Sequence, residues 1–233
     1  MRSNPTVYQG LLRRHGGGLN TRSLHIGQCA VGIFTGVFPP AVLCYTVRMD
    51  ITETTLDSER IYEFPPYSLV KDTIRLPDDK IATRTFVTHP GGVAVLAVNE
   101  HGLVSFVRQV RHPIGQETLE LPAGKLDGCE RETKAEAAIR ELREETGLSC
   151  EDIIELGPIY PSPAITDEVI TLFFARGLHA GTQDLDDDEF INTTWLSMDE
   201  IRAKILSHEI TDAKTICAFA MAGLRGLLRN GVK

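Results

Sequence analysis

The chain has 233 residues, of which 42% are hydrophobic and 24% charged, and its formal net charge at pH 7 is −8. That composition is typical of a globular protein with one large domain, with or without a small extra lobe. The acidic balance disfavours a protein that binds nucleic acid by neutralising phosphates. The five cysteines form no C-x-x-C pair, which argues against a zinc site or a disulfide framework and favours reduced thiols in the cytoplasm.

The first 48 residues differ in composition from the rest, because they contain five arginines and no acidic residue. We expect residues 1–48 to be a disordered or removable extension, or to precede a functional start at Met49. An arginine-rich, acid-free segment is also typical of an organellar transit peptide. The uncharged run 26–47 is long enough for a membrane anchor, but Pro39 and Pro40 lower its helical hydropathy, and we expect no membrane association.

From residue 50 onward, short apolar runs alternate with turns. The predicted strands are 61–64, 67–76, 81–89, two strands within 91–111 joined by a turn at 99–102, 116–124, 151–161, 168–178 and 190–197. The predicted helices are 133–146, one capped by Ser197 and ending at Leu206, and one from Thr211 or Asp212 to about Leu228. This order predicts an α+β layered fold, with residues 49–88 as a small N-terminal β lobe and residues 89–233 as the main domain.

The helix predicted at 133–146 has clear end signals. Thr133 and Glu136 have the S/T-x-x-E spacing of a capping box, and Gly147 suits the left-handed residue that ends a helix. The helix also carries a dense group of carboxylates, Glu136, Glu141, Glu144 and Glu145. Like charges three and four residues apart repel by roughly a few tenths of a kcal/mol per pair.

Two explanations account for this charge. An ordinary solvated helix would offset it with Arg140 and Arg143 through i,i+4 pairs. Alternatively, Glu141, Glu144 and Glu145 project close together beside the glycine turn of "LPAG" and form an oxygen-rich site. Mg²⁺ favours such hard ligands and completes its shell with water and substrate phosphates.

The stretch from Gly124 resembles the Nudix box, G-x5-E-x7-R-E-U-x-E-E-x-G-U with U apolar. The second half matches fully over residues 140–148, "RELREETGL". The first half contains two extra residues. If Glu132 is the first box glutamate the extra residues lie in the loop 125–131, and if Glu130 is, they lie between it and Arg140. We favour Glu132, because the cap at Thr133 fixes the helix register.

The resemblance implies a Nudix-type α/β/α sandwich around a mixed sheet, preceded by a small antiparallel N-terminal sheet. It implies Mg²⁺, or Mn²⁺, held by Glu141, Glu144, Glu145 and the backbone carbonyl of Ala123. It also implies catalytic roles for Arg140 and Glu144.

The similarity extends over about residues 49–228. The segments "HPGGVAVLAV", "VRQVRHPIG", "LELPAGKLD", "GPIYPSPAITDEVITLFFARGL" and "DDDEFI" are similar to those of the family's bacterial ADP-ribose pyrophosphatases. Pro163, 16 residues after Gly147, matches a marker of that group. The resemblance implies substrate contacts by Arg84, Arg111 and Glu120 as well as Pro163, and a guanidinium suits paired phosphate oxygens.

The acidic loop 184–189 is either a solvated loop or part of the site. In the resembling enzymes a glutamate of this loop helps to position or deprotonate the attacking water. Glu189 matches that place, with Asp188 as the alternative.

The sequence thus predicts Mg²⁺-dependent hydrolysis of ADP-ribose to AMP and ribose 5-phosphate. The alternatives are hydrolysis of another nucleoside diphosphate sugar and a non-catalytic ADP-ribose-sensing domain. The resemblance also implies a homodimer in which the N-terminal sheet contributes to the partner's site, with a small nucleotide sugar and no nucleic acid as the ligand.

Overall fold

The structure is a computed structural model that describes residues 49–126 and 132–228. Residues 1–48, and with them the expectations for the N-terminal extension, lie outside the described part, as does Glu130. Within the described part, no helix is both long enough and apolar enough to cross a membrane.

The described residues form ten strands and three α-helices, which lie close to the predicted positions. The strands are β1 (Thr54–Phe64), β2 (Tyr67–Arg75), β3 (Ile81–Thr88), β4 (Gly92–Ala97), β5 (Val104–Arg111), β6 (Gln116–Glu120), β7 (Ala123–Lys125), β8 (Leu148–Ile159), β9 (Ile170–Ala180) and β10 (Asn192–Leu196). The helices are α1 (Lys134–Thr146), α2 (Met198–Leu206) and α3 (Ala213–Leu224).

The strands form three sheets. The order β1-β2-β3 makes an antiparallel sheet on the N-terminal side, and β10-β5-β6 makes a second antiparallel sheet. The third sheet has the order β7-β4-β9-β8 and is mixed, because β4 and β9 run parallel while its other pairs are antiparallel. The prediction of an α+β fold with a mixed sheet and a small N-terminal antiparallel sheet is therefore confirmed.

Strand β4 shows why helices cover both faces of the mixed sheet. Its side chains alternate, since Val93 and Val95 pack with the apolar face of α1 while Ala94 and Leu96 pack in the cluster that includes α2 and α3. Every β4 residue is buried. Burial of about 25 cal/mol per Å² of apolar surface on both faces holds the helices against the sheet.

One strand prediction was wrong in a way that matters for the site. The sequence predicted a single strand over 116–124, but the chain leaves one sheet after Glu120 and joins another at Ala123. Pro122 lies at the crossing and has no N–H to donate to a ladder, while its carbonyl accepts a hydrogen bond from Val95 N–H. The break carries the "LPAG" segment from β6 to the edge of the mixed sheet, opposite α1.

The ends of α1 are as predicted. Thr133 accepts a hydrogen bond from the Glu136 N–H, and the Glu136 carboxylate accepts one from the Thr133 N–H, which completes the capping box. Gly147 ends the helix with φ of 71°, a conformation that favours glycine. These two caps fix which residues of α1 face β7.

Candidate active site

Two adjoining depressions lie where β7 faces α1. The larger, which we call the main cavity, has a volume of about 640 Å³. The smaller, which we call the acidic cleft, has a volume of about 280 Å³ and is lined chiefly by side chains of α1 and of the loop 184–189. Gly124, Lys125 and Glu189 line both. A ligand in the main cavity therefore has direct access to the carboxylates of the cleft.

Arg140 organises the acidic cleft. Its Nη1 lies 2.8 Å from Glu141 Oε1 and 2.9 Å from Glu144 Oε2. Its Nε donates to Glu132 Oε1 at 2.9 Å. The hydrogen bond to Glu132 and the charges of Glu141 and Glu144 raise the pKa of Arg140, so it stays cationic. The contact with Arg140 supports our assignment of Glu132 as the first box glutamate, which stays a prediction.

Gly124 allows β7 to approach α1 closely. A Cβ built at this position would lie 2.0 Å from Glu141 Cδ, far inside any permitted contact. Only glycine leaves room for the Glu141 carboxylate against the backbone here. The glycine of the "LPAG" turn therefore serves the placement of a carboxylate.

Glu145 connects the two depressions. Its side chain is buried, and its Oε2 accepts a hydrogen bond of 2.9 Å from the Ala123 N–H. Burial raises the pKa of Glu145 to about 8, the Ala123 N–H opposes the rise, and the negative charges of Glu141 and Glu189 add to it. A buried carboxylate among other carboxylates is the environment in which a bound cation is most stabilising.

The donor set fits a hard divalent cation. It consists of carboxylate oxygens on a rigid helix together with backbone carbonyls of β7, and it contains no sulfur or imidazole ligand. Among the described residues, no three acidic, His or Cys side chains are already drawn together as a metal-ligand group. In their place, Arg140 is the partner of Glu141 and Glu144, and Glu145 is held by Ala123.

The acidic loop is anchored to α1. The Asp184 N–H donates to the Glu144 carbonyl at 3.0 Å, and the Arg143 guanidinium lies 3.8 Å from the Asp184 carboxylate. Farther along, the Glu189 N–H donates to the Asp186 carbonyl at 3.0 Å, which closes a turn. The loop thereby places Glu189 on the walls of both the main cavity and the cleft, whereas Asp188 lines neither.

Arg111 and Glu120 face each other in the main cavity. Arg111 Nε lies 2.9 Å from Glu120 Oε1, and Nη2 lies 2.6 Å from Oε2. Glu120 is buried, whereas 42% of the Arg111 side chain is exposed. Burial alone would raise the pKa of Glu120, but the hydrogen bonds from Arg111 and the charge of Lys214 hold it at about 2. Glu120 is thus a permanent anion that anchors Arg111 at the cavity wall.

Two residues that the resemblance implied as substrate contacts lie outside both depressions of their own chain. Arg84, on β3, is half exposed and pairs with Glu53. Pro163 is exposed in the loop between β8 and β9, although its neighbours Pro161 and Glu168 line the main cavity.

The sequence reasoning missed a histidine in the main cavity. His89 Nδ1 accepts a hydrogen bond of 3.0 Å from the Gly91 N–H, so the proton of the neutral ring lies on Nε2, which faces Glu168 Oε1 at 3.4 Å. The ring of Tyr67 lies 5.1 Å from the imidazole, centroid to centroid. The signal was the "HPGG" run directly before a buried strand, where a polar side chain must find local partners.

Lys214 and Asp212, at the start of α3, were also missed. Asp212 caps the helix by accepting from the Thr215 N–H at 2.9 Å, and both side chains line the main cavity. A lysine in the first turn of an otherwise apolar helix was the available signal, because a cation is unfavourable at that end of a helix.

Comparisons with known proteins agree with this geometry. A model of the NUDIX domain matches residues 88–219. The chain is 34% identical over 181 residues to an ADP-ribose pyrophosphatase of Bacillus subtilis (strain 168), a match that covers 77% of this chain and 97% of that protein. It is 36% identical over 180 residues to a methanol dehydrogenase activator of Bacillus methanolicus, with 76% and 96% covered.

A solved structure shares the fold. The crystal structure of an ADP compounds hydrolase superposes with a TM-score of 0.67 at 17% identity, and the match covers 77% of this chain and 98% of that one. The NUDIX match spans more than half of this chain, and its carboxylate helix lies against a cavity. The chain therefore belongs to the Nudix family and is a Nudix hydrolase of nucleoside diphosphate derivatives, a class of enzymes that generally uses divalent metal ions.

Proposed function

We propose that the chain hydrolyses ADP-ribose to AMP and ribose 5-phosphate with Mg²⁺. One observation carries the proposal: Glu189 and β7 line both the acidic cleft and a cavity whose wall holds Arg111. A pyrophosphate at this junction would meet a guanidinium on one side and the carboxylate helix on the other. The ADP-ribose pyrophosphatases of Bacillus subtilis and Mycobacterium tuberculosis, both 34% identical to this chain, support the choice of substrate.

The metal would be held by Glu141, Glu144, Glu145 and the Ala123 carbonyl. When bound, it would supply positive charge to the phosphate oxygens and acidify a coordinated water. Arg140 would keep Glu141 and Glu144 in place through the ion pairs described above. Gly124 would keep β7 close enough for the Ala123 carbonyl to take part.

Hydrolysis would break a bond between a phosphorus and the bridging oxygen of the pyrophosphate. The water oxygen forms the new bond to that phosphorus, and its proton passes to a base. Glu189 is suitably placed for this role, because it lies at the junction of the cleft and the cavity. Arg111 would orient the pyrophosphate with the guanidinium donors that Glu120 does not use.

A substrate panel tests the specificity. With Mg²⁺ present, kcat/KM for ADP-ribose should exceed that for GDP-mannose and for ADP-glucose by about tenfold or more, which corresponds to about 1.4 kcal/mol of transition-state binding. GDP-mannose is included because a GDP-mannose pyrophosphatase of Yersinia enterocolitica is 34% identical over 152 residues. A tenfold preference for either competitor would overturn the assignment to ADP-ribose.

Replacing Glu189 by glutamine is expected to lower kcat by about 10²-fold, the usual contribution of a positioned general base. The apparent affinity for Mg²⁺ should change little, because the proposed ligands on α1 and β7 are untouched. Asp188→Asn is the matched control, and its kcat should stay near the wild-type value. If Asp188→Asn loses activity and Glu189→Gln does not, the role belongs to Asp188.

We further propose a homodimer formed through the N-terminal sheet. Every residue of β1 is exposed in the single chain, including the apolar Leu56, Ile61, Tyr62 and Phe64. Exposed apolar residues collected on one edge strand are typical of a protein interface.

Sedimentation equilibrium should therefore give twice the chain mass of 25.7 kDa. Tyr62→Arg, at a side chain that is 64% exposed, should weaken the dimer without unfolding the chain. Leu206→Arg, at an exposed position on α2, is the matched control and should leave the mass unchanged. A wild-type protein that sediments as a monomer at micromolar concentration would rule the dimer out.

A further inference from the structure

A buried ion network joins three elements at the wall of the main cavity. Glu120 on β6 is contacted by Arg111 from β5 and by the Lys214 ammonium from α3. The hydroxyl of Thr118 donates to the same carboxylate at 2.6 Å. The Glu120 and Lys214 side chains are only 3% and 8% exposed. The carboxylate therefore has two cationic partners, one buried and one facing the cavity.

Helix stability does not explain Lys214. It lies in the first turn of α3, where the helix dipole is unfavourable to a cation. Its ammonium pairs with the cap residue Asp212 at 3.0 Å and with Glu120, both at the cavity. Replacing a buried ion pair by apolar residues is often neutral or stabilising. The network therefore calls for a role besides folding.

The arrangement of donors on Arg111 suggests that role. Glu120 takes the Nε and Nη2 edge of the guanidinium, and the Nη1 donors are not used in this pair. If Glu120 had Arg111 as its sole counter-ion, its whole negative charge would act on that guanidinium. Lys214 supplies a second positive charge to the same carboxylate, so that less of the attraction falls on Arg111.

We propose that Lys214 is a positioning residue, which as second counter-ion of Glu120 leaves Arg111 anchored by one edge and able to bind a substrate phosphate with the other. This inference rests on the proposed contact between Arg111 and the pyrophosphate. Lys214 acts through Glu120 and Arg111 and need not touch the substrate.

The test uses three variants of the full chain with ADP-ribose and Mg²⁺. Lys214→Met should raise KM about tenfold, the loss of roughly one charge-assisted hydrogen bond to an anion, with kcat changed less than about threefold. The double variant Glu120→Gln/Lys214→Met removes both charges and frees Arg111, so its KM should return to within about threefold of the wild type. Lys204→Met, a lysine on α2 paired with Glu209 outside both depressions, is the matched control and should leave KM unchanged.

The double variant separates this role from a merely structural one. If Lys214 served only folding, the double variant would be no better than Lys214→Met in KM, and the loss would follow the fall in Tm. Either that result or an unchanged KM in Lys214→Met overturns the proposal. Should Lys214→Met not fold, Lys214→Gln keeps a donor to Glu120 without the charge and is held to the same expectation.

Failure of the substrate assignment would be distinguishable from failure of this inference. The pyrophosphate is common to ADP-ribose, GDP-mannose and ADP-glucose. If the wild type prefers another substrate of the panel, the variants are measured with that substrate, and the same KM pattern is required.

Discussion

Glutamine in place of Glu145 should lower kcat for ADP-ribose by about 10²–10³-fold, because it removes a charge from the proposed metal site while preserving the shape of the side chain. Glu145 is 4% exposed and its carboxylate meets the backbone of β7. Glutamine can still accept the hydrogen bond from the Ala123 N–H. The change therefore isolates the negative charge.

Stability should respond differently from activity. The raised pKa, about 8, means that without metal the carboxyl at pH 7 is mostly protonated and resembles an amide. Tm of the metal-free variant should thus match the wild type, whereas the rise in Tm on adding Mg²⁺ should disappear. Glu136→Gln, on the exposed start of the same helix, is the matched control, since glutamine also completes a capping box. Near-wild-type kcat in Glu145→Gln would remove this residue from the metal site.

Alanine in place of Gly124 should lower kcat by about 10²-fold, although it adds only one methyl group. The new Cβ would lie 2.0 Å from Glu141 Cδ, so the carboxylate must leave its position. The displaced group is the end of a flexible side chain, and the cost in folding free energy should be modest, about 1 kcal/mol or less. The prediction is a large loss of activity with a small change in Tm.

The matched control for Gly124→Ala is Gly223→Ala. A Cβ at Gly223, within α3, would have Leu228 Cδ1 as its nearest neighbour at 3.9 Å, an ordinary contact. Alanine there should stabilise the helix slightly and leave kcat unchanged. If Gly124→Ala retains full activity, Glu141 is not needed in the position that this structure gives it.

The sequence allowed the architecture of α1 to be predicted because the determinants are local. A capping box lies within four residues and a helix-ending glycine adjoins the last turn, so both could be read without tertiary information. The break between β6 and β7 was missed because "LELPAG" reads as one extended run. What divides it is the pairing of Ala123 with Ala94, a partner far away in the chain.

The polar wall of the main cavity was least accessible to sequence reasoning. Lys214 meets Glu120 across 94 residues, and His89 meets Glu168 across a similar distance in sequence. Neither pair has a fixed spacing that a motif could encode. The carboxylate helix was predictable because chemistry and periodicity coincide in it, whereas the division of the chain at residue 88 stays a prediction.

The most direct test of the proposed reaction is to follow ADP-ribose by ³¹P NMR with the wild-type chain and Mg²⁺. We expect the pyrophosphate signals to be replaced by those of AMP and ribose 5-phosphate in equal amounts, and the reaction to stop when EDTA removes the metal. Intact ADP-ribose in the presence of Mg²⁺, or turnover that EDTA does not affect, would contradict the account.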